Sequence, residues 1–546
     1  MIPQPFHVFD TTLRDGSQQE GLRLSVNDKL RVAGLLDDLG VTFIEGGWPG
    51  ANPNDTEFFA VAQERLHLKK ATLVAFGATR RVGLTAATDP LTAALVEAGT
   101  DVVCLVAKSH DRHVTEALKT TLDENLAMID DTVTYLRGLG KRVFVDCEHF
   151  FNGYIDNPSY ALDVVKTSID AGAEVAVLCD TNGGMLPSRV HEIVSLVVAT
   201  GAPVGVHCHN DTGCAVANTI AGVEAGAMHI QGTINGYGER TGNADLITLI
   251  GDLQLKWDWP LVTPEALQQL THVSHTIAEI VNQPPAARQP YAGSSSFAHK
   301  AGLHASAIKV DPDLYQHIDP AIVGNDMRML ISDMAGRASI QIKAEQLGHD
   351  LSDRQLASRL ADLVKRREAQ GYSYEAADAS FDLLVRDALA GDEPVEKPFS
   401  VATWRVFTDH EEISEAVVRV GFGDDTAHPF VGEGNGPVNA LDEALRQALS
   451  PRYHEVREFE LTDYRVRLLG DGLGTDATTR VLIDTRWEGL SWTTVGVGGN
   501  VIEASWEALV DAFTYGLTVI VPGAPTVGDH AFDGGHGQGD RQGVTV

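Results

Sequence analysis

One punctuation mark recurs through the first half of the chain and limits its fold more than any other feature. A small or apolar residue is followed by glycine and then by a β-rich run, at Leu39-Gly40, Ala98-Gly99, Leu139-Gly140, Ala171-Gly172 and Ala225-Gly226. Glycine just past the last apolar-periodic residue is the left-handed stop of a helix. A helix that stops and hands over to a strand, repeated at this rhythm, is a βα unit, and such units give parallel strands. The strand-like runs are His7–Asp10, Phe43–Glu45, Thr72–Phe76, Val102–Val106, Arg142–Asp146, Val175–Cys179, Val204–Val206 and His229–Gly232. Eight strands in roughly 250 residues suit an α/β fold of the closed (β/α)8 kind, a TIM barrel. The alternative, an open doubly wound sheet, is weakened because no glycine-rich phosphate loop follows the first strand. The first helix shows the local logic: Ser25 is its N-cap with acidic Asp28 three residues on, Val32, Leu35, Leu36 and Leu39 form one apolar face, and Gly40 ends it.

Beyond the barrel the alternation lapses. The expected division is a TIM-barrel catalytic domain over 1–270, helical linker subdomains over 271–397, a C-terminal α+β domain over 398–521 and a disordered tail over 522–546. In the third part, strand-like runs at Ala402–Phe407, Ala416–Gly421, Tyr464–Leu469, Thr479–Thr485 and Ser491–Val497 lead to two amphipathic helices near Val438–Leu449 and Glu503–Leu517. That arrangement predicts internal pseudo-symmetry. The tail is rich in Gly, Asp and His without apolar periodicity.

Seventy-five acidic residues against 42 basic ones give a formal net charge of -33. Nucleic-acid affinity rests on Lys and Arg neutralising phosphates, so no nucleic-acid partner is expected. No apolar run approaches the roughly 20 residues that span a bilayer, and no membrane partner is expected. The five cysteines are odd in number and lack redox or zinc spacing. With no basic-then-apolar leader at the start, the reading is a cytoplasmic protein with reduced thiols.

Barrel active sites form where strands end. His207 and His209 are two residues apart on the seventh strand, so both imidazoles share one face. Asp15 and Asn243 come from the ends of the first and eighth strands. Two imidazoles, a carboxylate and an amide oxygen make a mixed site for a divalent metal ion such as Mn, Zn, Co or Mg; taken alone, a His-x-His pair is as readily structural. Arg14, beside Asp15, can stabilise an oxyanion on a coordinated keto group, or form a rim salt bridge, for instance to Glu148. Asp10 and Glu45 point to the same rim, and Asn210 and Asp211 are candidates to orient the histidines. Thr181 offers a hydroxyl to a substrate carboxylate, or caps a helix. Trp48 is a candidate wall against bulky substrates, and Arg80 and Arg81 could meet phosphates.

The Asp-Thr-Thr-Leu-Arg-Asp-Gly start (Asp10–Gly16), the His-x-His-Asn-Asp strand (His207–Asp211) and the Gly-x-Gly-Glu-Arg-x-Gly-Asn run (Gly236–Asn243) together resemble the metal-dependent acyl-CoA condensing enzymes, the 2-isopropylmalate, homocitrate and citramalate synthase family. Ile44–Asp55, Lys108–Ile129, Phe297–Ile308, Tyr315–Asn325, Gly434–Leu445 and Thr493–Leu509 resemble the long citramalate synthase branch. The resemblance covers the chain except its tail. It implies Asp15, His207, His209 and Asn243 as metal residues, Arg14 and Glu148 as catalytic, and His304 with Tyr315 as the apparatus that activates acetyl-CoA. Some relatives carry an acid two positions after that histidine, where this chain has Ser306. The implied reaction joins acetyl-CoA to a small 2-keto acid, pyruvate foremost. The last domain resembles the regulatory domain of these synthases, which implies control by an amino-acid effector, isoleucine, and a homodimer. Competing readings are a larger 2-keto acid, a lyase or biotin-linked carboxyltransferase on the same barrel, and a non-catalytic amino-acid sensor.

Overall fold

The structure, a computed structural model, describes residues 5–521 apart from 333, 392–394, 396, 410–412, 424 and 470–476. The tail expected at 522–546 lies outside the described residues. Eight parallel strands close a barrel: β1 (His7–Asp10), β2 (Phe43–Gly47), β3 (Thr72–Ala78), β4 (Val102–Lys108), β5 (Arg142–Glu148), β6 (Val175–Asp180), β7 (Val204–Cys208) and β8 (His229–Gly232), with β8 pairing back to β1. All five predicted helix stops hold left-handed backbone, with φ of 96° at Gly40, 73° at Gly99, 81° at Gly140, 105° at Gly172 and 108° at Gly226. A side chain there would strain each turn, which is why glycine recurs. Ser25 and Asp28 form the reciprocal capping box on the helix Val26–Leu39.

Both faces of the barrel strands are covered, so they read as continuous apolar runs rather than alternating ones. Inside, Phe9, Phe43, Phe76, Phe144 and Val177 fill the lumen, with Phe43 edge-on to Phe144 at 5.0 Å. The larger apolar layer lies between strands and surrounding helices. The helix Leu270–Ile280 runs past the boundary expected at residue 270, yet its Leu270, Val273 and Ile277 are buried in that same layer. The barrel's compact unit runs on through Phe297 and takes in Gln316–Met327 as well.

The second compact unit comprises Ala298–Tyr315 and the described residues between Arg328 and Val521. A short parallel pair, β9 (Ala298–His299) and β10 (Arg328–Met329), precedes the helices Arg337–Gln346, Arg354–Ala369 and Asp378–Ala390. Two antiparallel sheets follow, β11 (Ser400–Thr408), β12 (Ser414–Gly421), β13 (His428–Gly434), then β14 (Glu460–Leu469), β15 (Thr478–Trp487), β16 (Leu490–Gly498). Each runs into one amphipathic helix, Pro437–Leu449 or Val501–Tyr515, as the predicted repeat requires. Strand β13 was not foreseen, because Pro429, Gly432 and Gly434 dilute its β signal. Gly432 is there for packing: a Cβ would stand 2.3 Å from the Ala444 backbone nitrogen of the crossing helix. No helix among the described residues is long and apolar enough to cross a membrane.

Candidate active site

Strand β7 delivers His207, and His209 continues its line one residue past the strand end. The segment after β8 folds back beside it. The Ala244 N–H donates to Cys208 O at 3.0 Å and the Asn210 N–H to Gly242 O at 2.8 Å, so His209 and Asn243 form a β-bridge. Gly238 makes this return possible. Its φ is +156° and a Cβ would fall 1.9 Å from Asn243 Oδ1. Asp15 enters from the turn after β1, where its N–H donates to Thr11 O at 2.8 Å.

The four residues converge. Asp15 Oδ2 lies 3.2 Å from His207 Nε2 and 3.8 Å from His209 Nε2. Asn243 Nδ2 donates to Asp15 Oδ2 at 2.7 Å and sits 3.2 Å from His207 Nε2. Each residue is almost fully buried, and Asn243 Oδ1 and His209 Nδ1 are buried without a hydrogen-bond partner. Burying such atoms unpaired is costly. A half-turn of the Asn243 amide would present the orphaned oxygen to the cluster. The donor atoms of Asp15, His207 and His209 all lie within 4.8 Å of one another, and the mixed nitrogen–oxygen set fits a divalent cation. Glu45, Cys104 and Asp146 form a second close group deeper in the lumen, but there Arg14 already supplies the positive charge.

The cluster's ionisable groups are strongly perturbed by burial and by one another. Burial by itself would raise the Asp15 carboxyl; Arg14 and the two histidines overcome that and hold it well below the usual range. Burial lowers His207, yet its bond and charge interaction with Asp15 leave it raised. Burial, with His207 beside it, lowers His209 to about 4, so its ring is neutral and free to ligate.

Sequence reasoning assigned the orienting role to Asn210 and Asp211, and the structure corrects this. The Asn210 side chain accepts the Ala215 N–H at 3.1 Å, and Asp211 pairs with Arg240 at 2.8 Å. The residue that fixes His207 is Gln231, which is fully buried. Its Oε1 lies 2.8 Å from His207 Nδ1, and its Nε2 donates to Asp146 Oδ1 at 2.9 Å. With the amide nitrogen committed to a carboxylate, the oxygen faces the ring and requires a proton on Nδ1. That leaves Nε2 for the cluster. Gln231 is the register partner of His207 on β8, a signal available once the strands are known to pair.

Arg14 stands at the mouth of the cluster. Its Nε donates to Glu45 Oε2 at 2.7 Å, its Nη1 lies 3.3 Å from Asp15 Oδ1, and its guanidinium stacks on Phe76 at 3.8 Å. Its rim partner is therefore Glu45 and not Glu148, which pairs with Lys108. Burial, only partly offset by Arg14, raises Glu45 to about 7. Asp10 accepts the Thr12 N–H and hydroxyl through its two carboxyl oxygens, at 2.9 and 2.7 Å, and shapes the first loop.

A cavity of about 640 Å³ opens above these groups, lined by Arg14, Asp15, Trp48, Phe76, Glu148 and Thr181 among others. Trp48 packs edge-on to Phe76 at 5.3 Å. Thr181 caps no helix; its hydroxyl accepts the His149 N–H at 2.9 Å. Arg80 is buried and bound to Glu124 and Asp131 at 2.8 and 2.7 Å, so it is a structural ion pair and not a free phosphate anchor. Arg81 lines the cavity half-exposed, 3.3 Å from Asp89. His304 and Tyr315 belong to the second unit, where their rings stack at 4.1 Å. Ser306 donates back to Gly302 O at 2.9 Å.

A closed parallel barrel with a cation-ready cluster at its strand ends defines the class, an HMGL-like barrel enzyme, and residues 5–277 match the HMGL-like family. Residues 292–370 match the homocitrate synthase post-HMGL domain-like family and 375–517 the LeuA allosteric (dimerisation) domain. The chain is 58% identical to an (R)-citramalate synthase of Streptomyces coelicolor, over 94% of this chain and 97% of that one. It is 48% identical to one from Synechocystis, again over 94% and 97%. A probable 2-isopropylmalate synthase of Methanopyrus kandleri is 31% identical over 93% and 98%. The chain belongs to the (R)-citramalate synthase family, whose members are acyl-transferring condensing enzymes.

Proposed function

We propose that this enzyme condenses acetyl-CoA with pyruvate and releases (R)-citramalate and CoA. The observation that carries the reading is the buried Asp15–His207–His209–Asn243 cluster with Arg14 at its mouth, opening on one cavity. When bound, a divalent cation supplies Lewis acidity to the carbonyl of the 2-keto acid. Arg14 is placed to share negative charge growing on the keto oxygen; its hold on Glu45 and its stack on Phe76 keep the guanidinium still. Thr181 offers its hydroxyl to the pyruvate carboxylate. His304, with Tyr315, is the candidate base that takes a methyl proton from acetyl-CoA, and Glu148 the candidate acid–base group of the cavity. The methyl carbon then bonds to C2 of pyruvate, the keto oxygen becomes a hydroxyl, and water cleaves the thioester to free CoA. Trp48 and Phe76 form the wall that excludes branched acceptors.

The same reading makes the protein a cytoplasmic homodimer in isoleucine biosynthesis, with isoleucine as feedback effector. The match of residues 375–517 to an allosteric (dimerisation) domain supports it. The test is CoA release with a panel of 2-keto acids, with and without chelator. Pyruvate should give metal-dependent release, and 2-ketoisovalerate little. Faster release with 2-ketoisovalerate, or release untouched by chelation, contradicts the reading.

A further inference from the structure

Thr181 is held from two sides by residues with unusual backbone. On one side the His149 N–H donates to its Oγ1 at 2.9 Å. On the other, Arg240 Nη2 donates to its carbonyl oxygen at 2.8 Å. His149 has φ of 59° and Arg240 φ of 58°. Left-handed backbone is disfavoured for such side chains and persists where the surroundings impose it.

Arg240 comes from the return segment after β8 and crosses the loop after β7 to reach the loop after β6. On the way its Nε and Nη2 grip both oxygens of Asp211, at 2.8 and 2.9 Å. Such a fork fixes a guanidinium in direction as well as place. The loop it reaches is anchored from below as well, because Asp180 accepts the N–H groups of Gly184 and Met185 at 3.1 and 3.0 Å. Thr181 is thus tied at its hydroxyl and at its carbonyl, and Thr181 and Arg240 line the same cavity as Asp15 and the histidines.

The hydrogen bonding also sets which way the hydroxyl works. Its oxygen already accepts from His149, and among the described residues its own O–H has no protein acceptor. We propose that Arg240 is a positioning residue for the carboxylate of the 2-keto acid. Through Asp211 and the Thr181 carbonyl it holds the Thr181 hydroxyl as a donor aimed into the cavity. This rests on the reading that Thr181 meets the substrate carboxylate, and it adds that a residue not touching substrate decides how well Thr181 does so.

The experiment is a kinetic cycle on the metal-loaded full chain with Arg240→Ala, Thr181→Val and the double variant. Manganese affinity and the thermal midpoint are read in the same samples. Losing one charge-assisted hydrogen bond to a carboxylate should raise the KM for pyruvate about tenfold or more in each single variant. The KM for acetyl-CoA and the manganese affinity should hold. The double variant should be no worse than the poorer single one, because both remove the same contact. Arg240→Lys, which keeps the charge but cannot fork, should behave as Arg240→Ala and guards against a mere folding defect. Multiplying effects in the double variant, or an unchanged pyruvate KM in Arg240→Ala, overturns the proposal. If Thr181→Val alone leaves the pyruvate KM unchanged, the underlying reading of Thr181 has failed instead.

Discussion

Gln231 and Asp10 show how little a residue's neighbours in sequence reveal about its work. Gln231 lies 24 positions from His207 and touches it only because β7 and β8 pair in that register. Adjacent Asn210 and Asp211 looked better placed and serve the loop instead. Replacing Gln231 with Leu should weaken manganese or zinc binding about 10–100-fold, the usual cost of losing an outer partner of a metal histidine. Competition with a chromogenic chelator measures it, and unchanged affinity would remove Gln231 from the site. Asp10 gives a test by pH. Burial raises its carboxyl from 3.8 to about 7, so between those values the folded protein keeps a proton that the unfolded chain has released. Stability therefore falls as pH rises through that window, by up to ~1.4 kcal/mol per pH unit. Asp10→Asn cannot titrate. Its thermal midpoint, relative to the parent, should climb from pH 4 to 7 and level off above. A constant difference across that range would mean that Asp10 is ionised throughout.

Among elements, those with a local signature were legible and those defined by a partner were not. The helix stops could be read because left-handed turns call for glycine wherever they occur. Strand β13 could not, since its pairing with β12 supplies the order that Pro429 and its glycines withhold. The return segment after β8 falls between these cases. Its glycines were visible, but not that Gly238 leaves the room in which the Asn243 amide stands. Gly238→Ala should accordingly cost metal affinity by tenfold or more, of the order expected when a supporting contact of a metal ligand is lost, while the circular-dichroism spectrum stays that of a folded barrel. Undiminished affinity would show that Asn243 contributes nothing to the cluster.

For the whole molecule, the rule that barrel chemistry gathers at strand ends brought Asp15, His207, His209 and Asn243 together from residues up to 228 positions apart. It worked because a closed barrel leaves strand-end side chains few directions to point. It could not supply the pairing of Arg14 with Glu45 or of Arg80 with Glu124 and Asp131. In a chain with 75 acidic residues to 42 basic ones carboxylates outnumber cations, and packing selects the partners. The central claim is that these four side chains grip one divalent ion. Anomalous diffraction at the manganese edge, on crystals grown with manganese and pyruvate, tests it most directly. The account predicts a peak bounded by Asp15, His207 and His209, with the Asn243 oxygen turned toward it and the keto acid against Arg14. A fully active enzyme whose manganese peak lies elsewhere would contradict it.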